Sequence, residues 1–478
     1  MGTLTTQINF YMGGLFGAIS KQDCVSNLYY GTDYNSHLGT RRGGMAVWDG
    51  NTFIRSIHSL ENSYFRTKFE PELSRFHGNS GIGVVSDTEP QPLLIHSHLG
   101  EYAIATVSKI VNLQELTERA LKKHLHFSET TSLGVSSTEL VALLINECES
   151  FEAGIENVFR QIKGSCTILV LTPTGIFAAR DKLGRTPLIL GQKDSAFALS
   201  SETTSFANLG FSVEKFLGPG EVLFITAEGW EQRRKPGDAM QVCTFLWVYY
   251  GYPSSYYEGI NVEECRYRCG AALARKDDAA VDFVCGVPDS GVAHAIGYSN
   301  EKKIPYKRAY VKYTPTWPRS FMPPNQETRN LIAKMKLIPI RDVIDGRRIA
   351  VCDDSIVRGT QLKDNVKILF EHQAKEVHVR PACPTLIFPC EFLNFSSSRS
   401  SLDLAGRKAI KELEGKEDAH LDEYATPGTD RYHAMIGNIS SKLGCTSLKY
   451  QELNDLVEAV GLPKEKLCTH CWDGSSYF

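Results

Sequence analysis

Residues 349 to 360 read Ile349-Ala350-Val351-Cys352-Asp353-Asp354-Ser355-Ile356-Val357-Arg358-Gly359-Thr360. The first four are apolar, as in a strand buried on both faces. Two acidic residues end that strand, and hydroxyls, a glycine and free backbone N–H groups follow where a helix is predicted to start at Thr360. Paired carboxylates at a strand end suit Mg2+, which takes one or two carboxylates and completes its shell with water and substrate oxygens. They also suit sugar hydroxyls. The following helix N-terminus suits a phosphate. A strand end capped by Asp and Ser for structural reasons alone would not need this whole context.

Around this segment the sequence repeats a strand, loop, helix rhythm. Asp282-Phe-Val-Cys-Gly-Val runs into Pro288-Asp289-Ser290-Gly291 and a helix, and Glu376-Val-His-Val-Arg-Pro is a further strand. Nearly continuous apolar strands feeding helices predict a parallel, doubly covered sheet, whose ligands bind beyond the carboxyl ends of the strands. Pro288 to Gly291 form a second loop at that end, where glycine lets backbone approach a diphosphate. Between the loops lie Lys307, Arg308, Lys312, Arg319, Arg329 and Lys336, a basic set fit for a polyanion in a Pro-rich segment able to close as a lid.

The first half has a different texture. Short strands are predicted at Gly81–Val85, Leu93–His98, Tyr102–Val107 and Cys166–Thr172, with helices only at Ser137–Glu147 and Gly154–Ile162. Helices packed on antiparallel sheets follow. The polar, basic stretch from Gly229 to Asp238 places a domain boundary between residues 230 and 240, with Arg233, Arg234 and Lys235 read as solvated turn residues.

The bulk numbers fit two soluble domains. The chain has 478 residues, 42% hydrophobic and 22% charged, and a net charge of −3. That charge argues against nucleic acid as a partner. No apolar run is long enough to span a membrane, and the N-terminus lacks a signal-peptide pattern, so the expected location is cytoplasmic. Thirteen cysteines then imply thiols or metal ligands, not disulfides. Whether translation starts at Met1 or Met12 is open.

Residues 240 to 478 resemble the phosphoribosyltransferase half of the glutamine phosphoribosylpyrophosphate amidotransferase family. The resemblance runs from Val242 through Lys307-Arg-Ala-Tyr310, Arg319-Ser-Phe-Met322 and Leu443-Gly-Cys-Thr-Ser-Leu-Lys-Tyr450 to Cys471. It implies a type I phosphoribosyltransferase sheet that binds phosphoribosyl pyrophosphate (PRPP). Asp353 and Asp354 would hold Mg2+ and ribose. Ser355, Ile356, Val357, Arg358, Gly359 and Thr360 would cradle the 5'-phosphate, Pro288, Asp289, Ser290 and Gly291 the pyrophosphate, with Arg319 and Lys336 as catalytic cations. Tyr313-Thr-Pro-Thr-Trp-Pro318 departs from the family as an insertion before Arg319. The iron-sulfur branch of the family carries four cysteines that match Cys243, Cys390, Cys468 and Cys471. The resemblance thus implies a [4Fe-4S] cluster, although a four-cysteine zinc site has the same ligand count.

Residues 13 to 230 resemble the family's other half, a class II glutaminase with an N-terminal-nucleophile αββα sandwich. The likeness rests on Gly14-Leu-Phe-Gly17, Leu38-Gly-Thr-Arg-Arg-Gly-Gly-Met-Ala-Val47, Gln91-Pro92 and Asn112-Leu-Gln-Glu-Leu116. The family's nucleophilic cysteine falls on Gly13, its oxyanion-hole Asn-Gly pair on Val107 and Ser108, its carboxylate-gripping arginine on Ser86, and its amine-holding aspartate on Ser137. A glycine offers no nucleophile. The expectation is therefore a mixed α+β and α/β chain, an amidophosphoribosyltransferase-like enzyme related to purine biosynthesis that uses ammonia, free or partner-supplied, instead of glutamine. Purine nucleotides are expected inhibitors, and a homodimer or homotetramer the expected assembly. The rival readings are a non-catalytic sensor of PRPP or nucleotides that regulates a partner, and a transferase with another nitrogen acceptor.

Overall fold

Side chains alternate along the strand Gly13–Ser20, and both sets are apolar: Leu15 and Ile19 face one way, Phe16 and Ala18 the other. A strand of period two with two apolar faces must be covered on both sides. The computed structural model, which describes residues 13–131, 134–313, 337–393 and 400–476, shows how. Seven antiparallel strands form one sheet in the order Ser212–Phe216, Ile189–Lys193, Ala196–Ser200, Gly13–Ser20, Ser80–Ser86, Arg42–Trp48, Phe53–Ser59. Six form a second: Trp230–Arg234, Val222–Ile225, Gly175–Ala179, Gly164–Thr172, Gly100–Ile110, Leu93–Ser97. Leu15, Ile82 and Val84 of the first meet Ala103, Leu169 and Leu171 of the second in a core between the sheets. The helix Val25–Tyr34 covers the outer face of the first sheet, and Ser137–Ile145 and Phe151–Gln161 cover that of the second. This is the αββα sandwich.

Two expectations need correction here. Helices are more numerous than the sequence suggested, since Val25–Tyr34 and Leu113–Lys122 are also helical. Gly31 and the β-branched Val25 and Thr32 lower the local propensity of the first, which forms because Leu28 and Tyr29 bury against the sheet. Arg233 and Arg234 are not turn residues but end the strand Trp230–Arg234. Arg234 Nη1 donates to the Gly220 carbonyl at 2.6 Å, and the Arg233 guanidinium lies 5.3 Å from the Phe224 ring centre. Long basic side chains cover an apolar edge this way.

In the second half, four parallel strands pair in the order Phe283–Gly286, Arg348–Asp353, Glu376–Pro381, Ser447–Leu448. Val284, Ala350 and Cys352 face the helices Val262–Arg275 and Val292–Lys302. Phe283, Ile349 and Val351 face Thr360–Glu371 and Asp430–Leu443. Near the C-terminus, Leu467–Cys468 pairs in parallel with Val242–Cys243, so the end of the chain returns to the start of this domain. Among the described residues no helix is long and apolar enough to cross a membrane.

Among the described residues, the Arg380–Asp277 ion pair lies wholly inside this domain. Arg380 Nε and Nη2 donate to the two carboxylate oxygens of Asp277 at 2.5 and 2.9 Å, and Tyr298 adds its hydroxyl at 2.6 Å. Burial pushes the Asp277 carboxyl up, but the Arg380 and Tyr298 contacts outweigh it and hold the group at about 2. A depressed carboxylate stabilises above its unfolded value and loses that contribution as pH falls towards 2. Arg380→Met, which strands the carboxylate, is expected to cost about 3–5 kcal/mol in denaturant unfolding at pH 7.

Candidate functional site

The strand Arg348–Asp353 delivers Asp353 and Asp354 side by side to the carboxyl edge of the parallel sheet. They are 9% and 6% exposed, unusual for carboxylates. Ser290 of the second loop donates to Asp353 Oδ1 at 2.7 Å, the Asp354 N–H donates to the same oxygen at 3.0 Å, and the Ser355 hydroxyl donates to Asp354 Oδ2 at 2.6 Å. Burial, and then the charge of Asp354, push Asp353 well above the usual carboxylate range. Asp354 is raised by burial too, opposed by hydrogen bonds and by the charge of Arg266. Two buried carboxylates that repel each other make a place for a cation.

Beyond the pair, Gly359 adopts φ +78°, a left-handed turn that glycine enters without cost, and the helix Thr360–Glu371 begins without a side-chain cap. Its first N–H groups therefore point into the loop, as an anion site requires. Arg358 is held by Asp403 at 3.3 Å. Ile356 is only 3% exposed and packs into the core, so its part in any ligand contact is confined to backbone.

The second loop abuts the first. Val287 N–H donates to the Cys352 carbonyl at 2.9 Å, and a Cβ added at Gly291 would come within 2.0 Å of that same carbonyl oxygen. Only glycine allows this approach. Pro288 and Ser290 are half-buried, whereas the Asp289 side chain is 79% exposed and pairs with Lys312 at 2.9 Å. Arg319, Arg329 and Lys336, together with the inserted stretch after Tyr313, lie outside the described residues.

Cys243, Cys390, Cys468 and Cys471 come together from three separate parts of the chain. Cys243 and Cys468 are opposite each other on paired strands, Cys471 sits on the short helix His470–Asp473, and Cys390 lies in the loop after Phe388. Hydrogen bonding to Cys390, then burial, push the Cys471 thiol well up, with further contributions from Cys468 and Cys243. Burial, followed by Cys468 and Cys390, does the same to Cys243. These influences keep Cys243 and Cys471 as neutral thiols, and all four sulfurs are of the soft-donor type that binds soft metals. Among the described residues no group of three or more His, Cys, Asp or Glu is set as a ready single-ion site. The other predicted cysteines, Cys285, Cys352 and Cys383, are fully buried in apolar packing, as expected of small hydrophobes.

The five positions that align with the family's glutaminase residues also converge. Gly13 pairs with Ser86 across adjacent strands, and a Cβ built on Gly13 meets the Val85 carbonyl at 2.9 Å and Val107 Cγ2 at 3.2 Å. Ser108 Oγ donates to Ser137 Oγ at 3.2 Å. A residue that motif reading missed, Glu89, fills the middle: 3% exposed, it accepts from the Ser136 and Ser137 hydroxyls and from Thr138 N–H at 3.3 Å, at the start of the helix Ser137–Ile145. A carboxylate is stable at a helix N-terminus. Gly13→Cys is expected to release no glutamate from glutamine and, because a Cβ there meets Val85 and Val107, to lower the melting temperature.

This architecture has close counterparts. A glutamine amidotransferase domain model matches residues 78–208. The amidophosphoribosyltransferase of Pyrococcus horikoshii is 32% identical over 86% of this chain and 90% of its own length. That of Synechococcus elongatus is 30% identical over 96% and 90%. The chain belongs to the amidophosphoribosyltransferase family. Its fold superposes on the Bacillus subtilis glutamine PRPP amidotransferase complexed with ADP and GMP with a TM-score of 0.84, at 28% identity over 97% of this chain and 96% of the other.

Within this family member, sequence motifs found the acidic pair and both loops, because those are contiguous. Ser290 as partner of Asp353, Arg266 beside Asp354 and Asp403 beside Arg358 were not legible, since each contact spans tens of residues and follows from strand order alone.

Proposed function

We propose that this family member is an ammonia-dependent amidophosphoribosyltransferase acting on PRPP, in the service of purine biosynthesis. The observation that carries the reading is the buried Asp353–Asp354 pair, joined to the second loop through Ser290 and followed by an uncapped helix N-terminus. Asp353 and Asp354 would hold Mg2+ with the substrate's oxygens, and the ion would supply charge neutralisation for the diphosphate. The N–H groups from Ser355 to Thr360 bind the 5'-phosphate, and the loop Pro288 to Gly291 orients the pyrophosphate. Ammonia's lone pair forms the bond to C1 as the C1–O bond breaks, pyrophosphate leaves with that electron pair, and the surplus ammonium proton passes to solvent. Arg319 and Lys336 are proposed to offset the charge that builds on the leaving group.

Glutamine is not the proposed nitrogen source, given Gly13, Val107 and the buried Glu89. With PRPP and Mg2+ present, ammonium salts are expected to support pyrophosphate release, while glutamine yields neither pyrophosphate nor glutamate. Glutamate release, or labelling of the first domain by a thiol-directed glutamine analogue, would overturn the ammonia assignment. Cys243, Cys390, Cys468 and Cys471 are proposed to hold a [4Fe-4S] cluster, on the strength of an all-thiol donor set gathered from three segments. Bound there, the cluster would supply a structural tie between the C-terminal segment and the core. A purine nucleotide as inhibitor and a homo-oligomeric assembly complete the proposal, on the pattern of the relatives.

A further inference from the structure

The first domain keeps a large, well-packed sandwich although its glutaminase positions are degenerate, and it meets the second domain at the cysteine loop as well as where Glu202 and Thr203 bond Ser255, Tyr256 and Tyr257. Lys109 lies on the strand Gly100–Ile110, just past Val107 and Ser108, and its Nζ donates to the Cys390 carbonyl at 2.9 Å. Ser165, which pairs with Lys109 on the neighbouring strand, donates its hydroxyl to the Phe392 carbonyl at 2.6 Å. Arg185 lies 3.8 Å from the centre of the Phe392 ring and donates from Nη1 to the Gly164 carbonyl at 2.8 Å. Its guanidinium also reaches the Cys468 thiol. On its other side the loop is held by the Cys471 carbonyl, which accepts from Ile387 and Phe388 N–H at 3.1 and 3.2 Å.

We propose that the degenerate glutaminase domain is retained as one wall of the cluster pocket, with Lys109, Ser165 and Arg185 as positioning residues for Cys390 and Cys468. The inference rests on the cluster reading given above. Its physical basis is charge and geometry. Four thiolates buried in one place need cations or N–H donors nearby, because an uncompensated buried charge is strongly disfavoured. The second domain supplies N–H groups, and Lys109 and Arg185 of the first bring two positive charges to the site. The Cys390 loop has no regular secondary structure, so its position is set by the groups that hold its carbonyls. Cations beside a cluster also favour its reduced, more negative state, so removing one shifts the reduction potential to a more negative value.

The test uses the full chain, prepared without oxygen, with iron and acid-labile sulfide per chain, the rate of iron loss to a chelator, and the reduction potential as readouts. Lys109→Met, Ser165→Ala and Arg185→Leu are compared with Glu202→Gln, a variant elsewhere at the domain contact, where Glu202 accepts from Ser255 at 3.0 Å and from Tyr257. The wild type is expected to hold about four irons. Lys109→Met and Arg185→Leu are expected to lose iron several-fold faster with a more negative potential, Ser165→Ala to lose iron faster at unchanged potential, and Glu202→Gln to behave as wild type. Should Arg185→Leu not fold, Lys109→Met set against Lys109→Arg, which keeps the charge, carries the test. Wild-type iron retention and potential in all three variants, or equal iron loss in Glu202→Gln, would overturn the inference while leaving the cluster in place. A wild type without iron removes the cluster reading and the inference together.

Discussion

Asp353→Asn and Asp354→Asn are expected to abolish Mg2+-dependent binding of PRPP while the protein stays folded and melts at the same temperature or higher. Binding falls because each change removes a charged ligand for the cation and a charged acceptor for ribose hydroxyls. Hydrogen bonds to charged groups contribute about 1.5–3 kcal/mol each, so losing two weakens affinity by about 100-fold or more. Stability moves the other way. Asp353 and Asp354 both have raised values in the folded chain, driven first by burial, so the unfolded chain gives up its protons first as pH rises. The ionised pair therefore costs stability, and the cost grows as pH climbs from about 4, the unfolded carboxylate value, through the folded one. A neutral amide at either position removes the repulsion and flattens this dependence; each kcal/mol recovered raises the melting temperature by about 2–4 °C. A capping carboxylate shows the opposite pattern, since its loss costs about 1 kcal/mol. Calorimetric titration with Mg2+ and PRPP, paired with melting curves at pH 5 and pH 8, reads both effects from one preparation. Lower melting with binding intact would make the acidic pair a structural device.

The second large effect is expected at the cysteines. Anaerobically prepared protein should be brown with about four irons per chain, and Cys468→Ser should lose both colour and solubility. Cys468 pairs with Cys243 across the short two-stranded ladder that returns the C-terminus to the domain, and Cys471 contacts Cys390 in a loop without regular structure. A metal group joining three such segments contributes its binding energy to folding, so its loss unfolds what it ties. One zinc per chain and no iron would contradict the cluster.

The strength of the sequence signal varied with locality. The Asp353 to Thr360 loop could be read because strand, acids, glycine and helix start are contiguous, and each element appears where the pattern placed it. The αββα sandwich was visible as a likeness, yet the helix Val25–Tyr34 was hidden by Gly31 and two β-branched residues, whose weak propensity is overridden by burial of Leu28 and Tyr29. Charge misled at Arg233 and Arg234, where basic residues cover an apolar edge. The departures from the family's glutaminase motif at Gly13, Ser86, Val107, Ser108 and Ser137 were legible one by one. That Val107 approaches Gly13 and that Glu89 meets the start of the helix Ser137–Ile145 required the fold, because both contacts join distant parts of the chain.

The most direct test of the account combines PRPP, Mg2+ and 15N-labelled ammonium with the purified protein, following C1 by NMR and pyrophosphate by enzymatic assay. A C1–15N bond is expected to form in step with an equimolar release of pyrophosphate, and both are expected to be abolished in Asp353→Asn. Tight binding of PRPP with pyrophosphate release no faster than in buffer would contradict it, and would make the chain a sensor of PRPP instead of an enzyme acting on it.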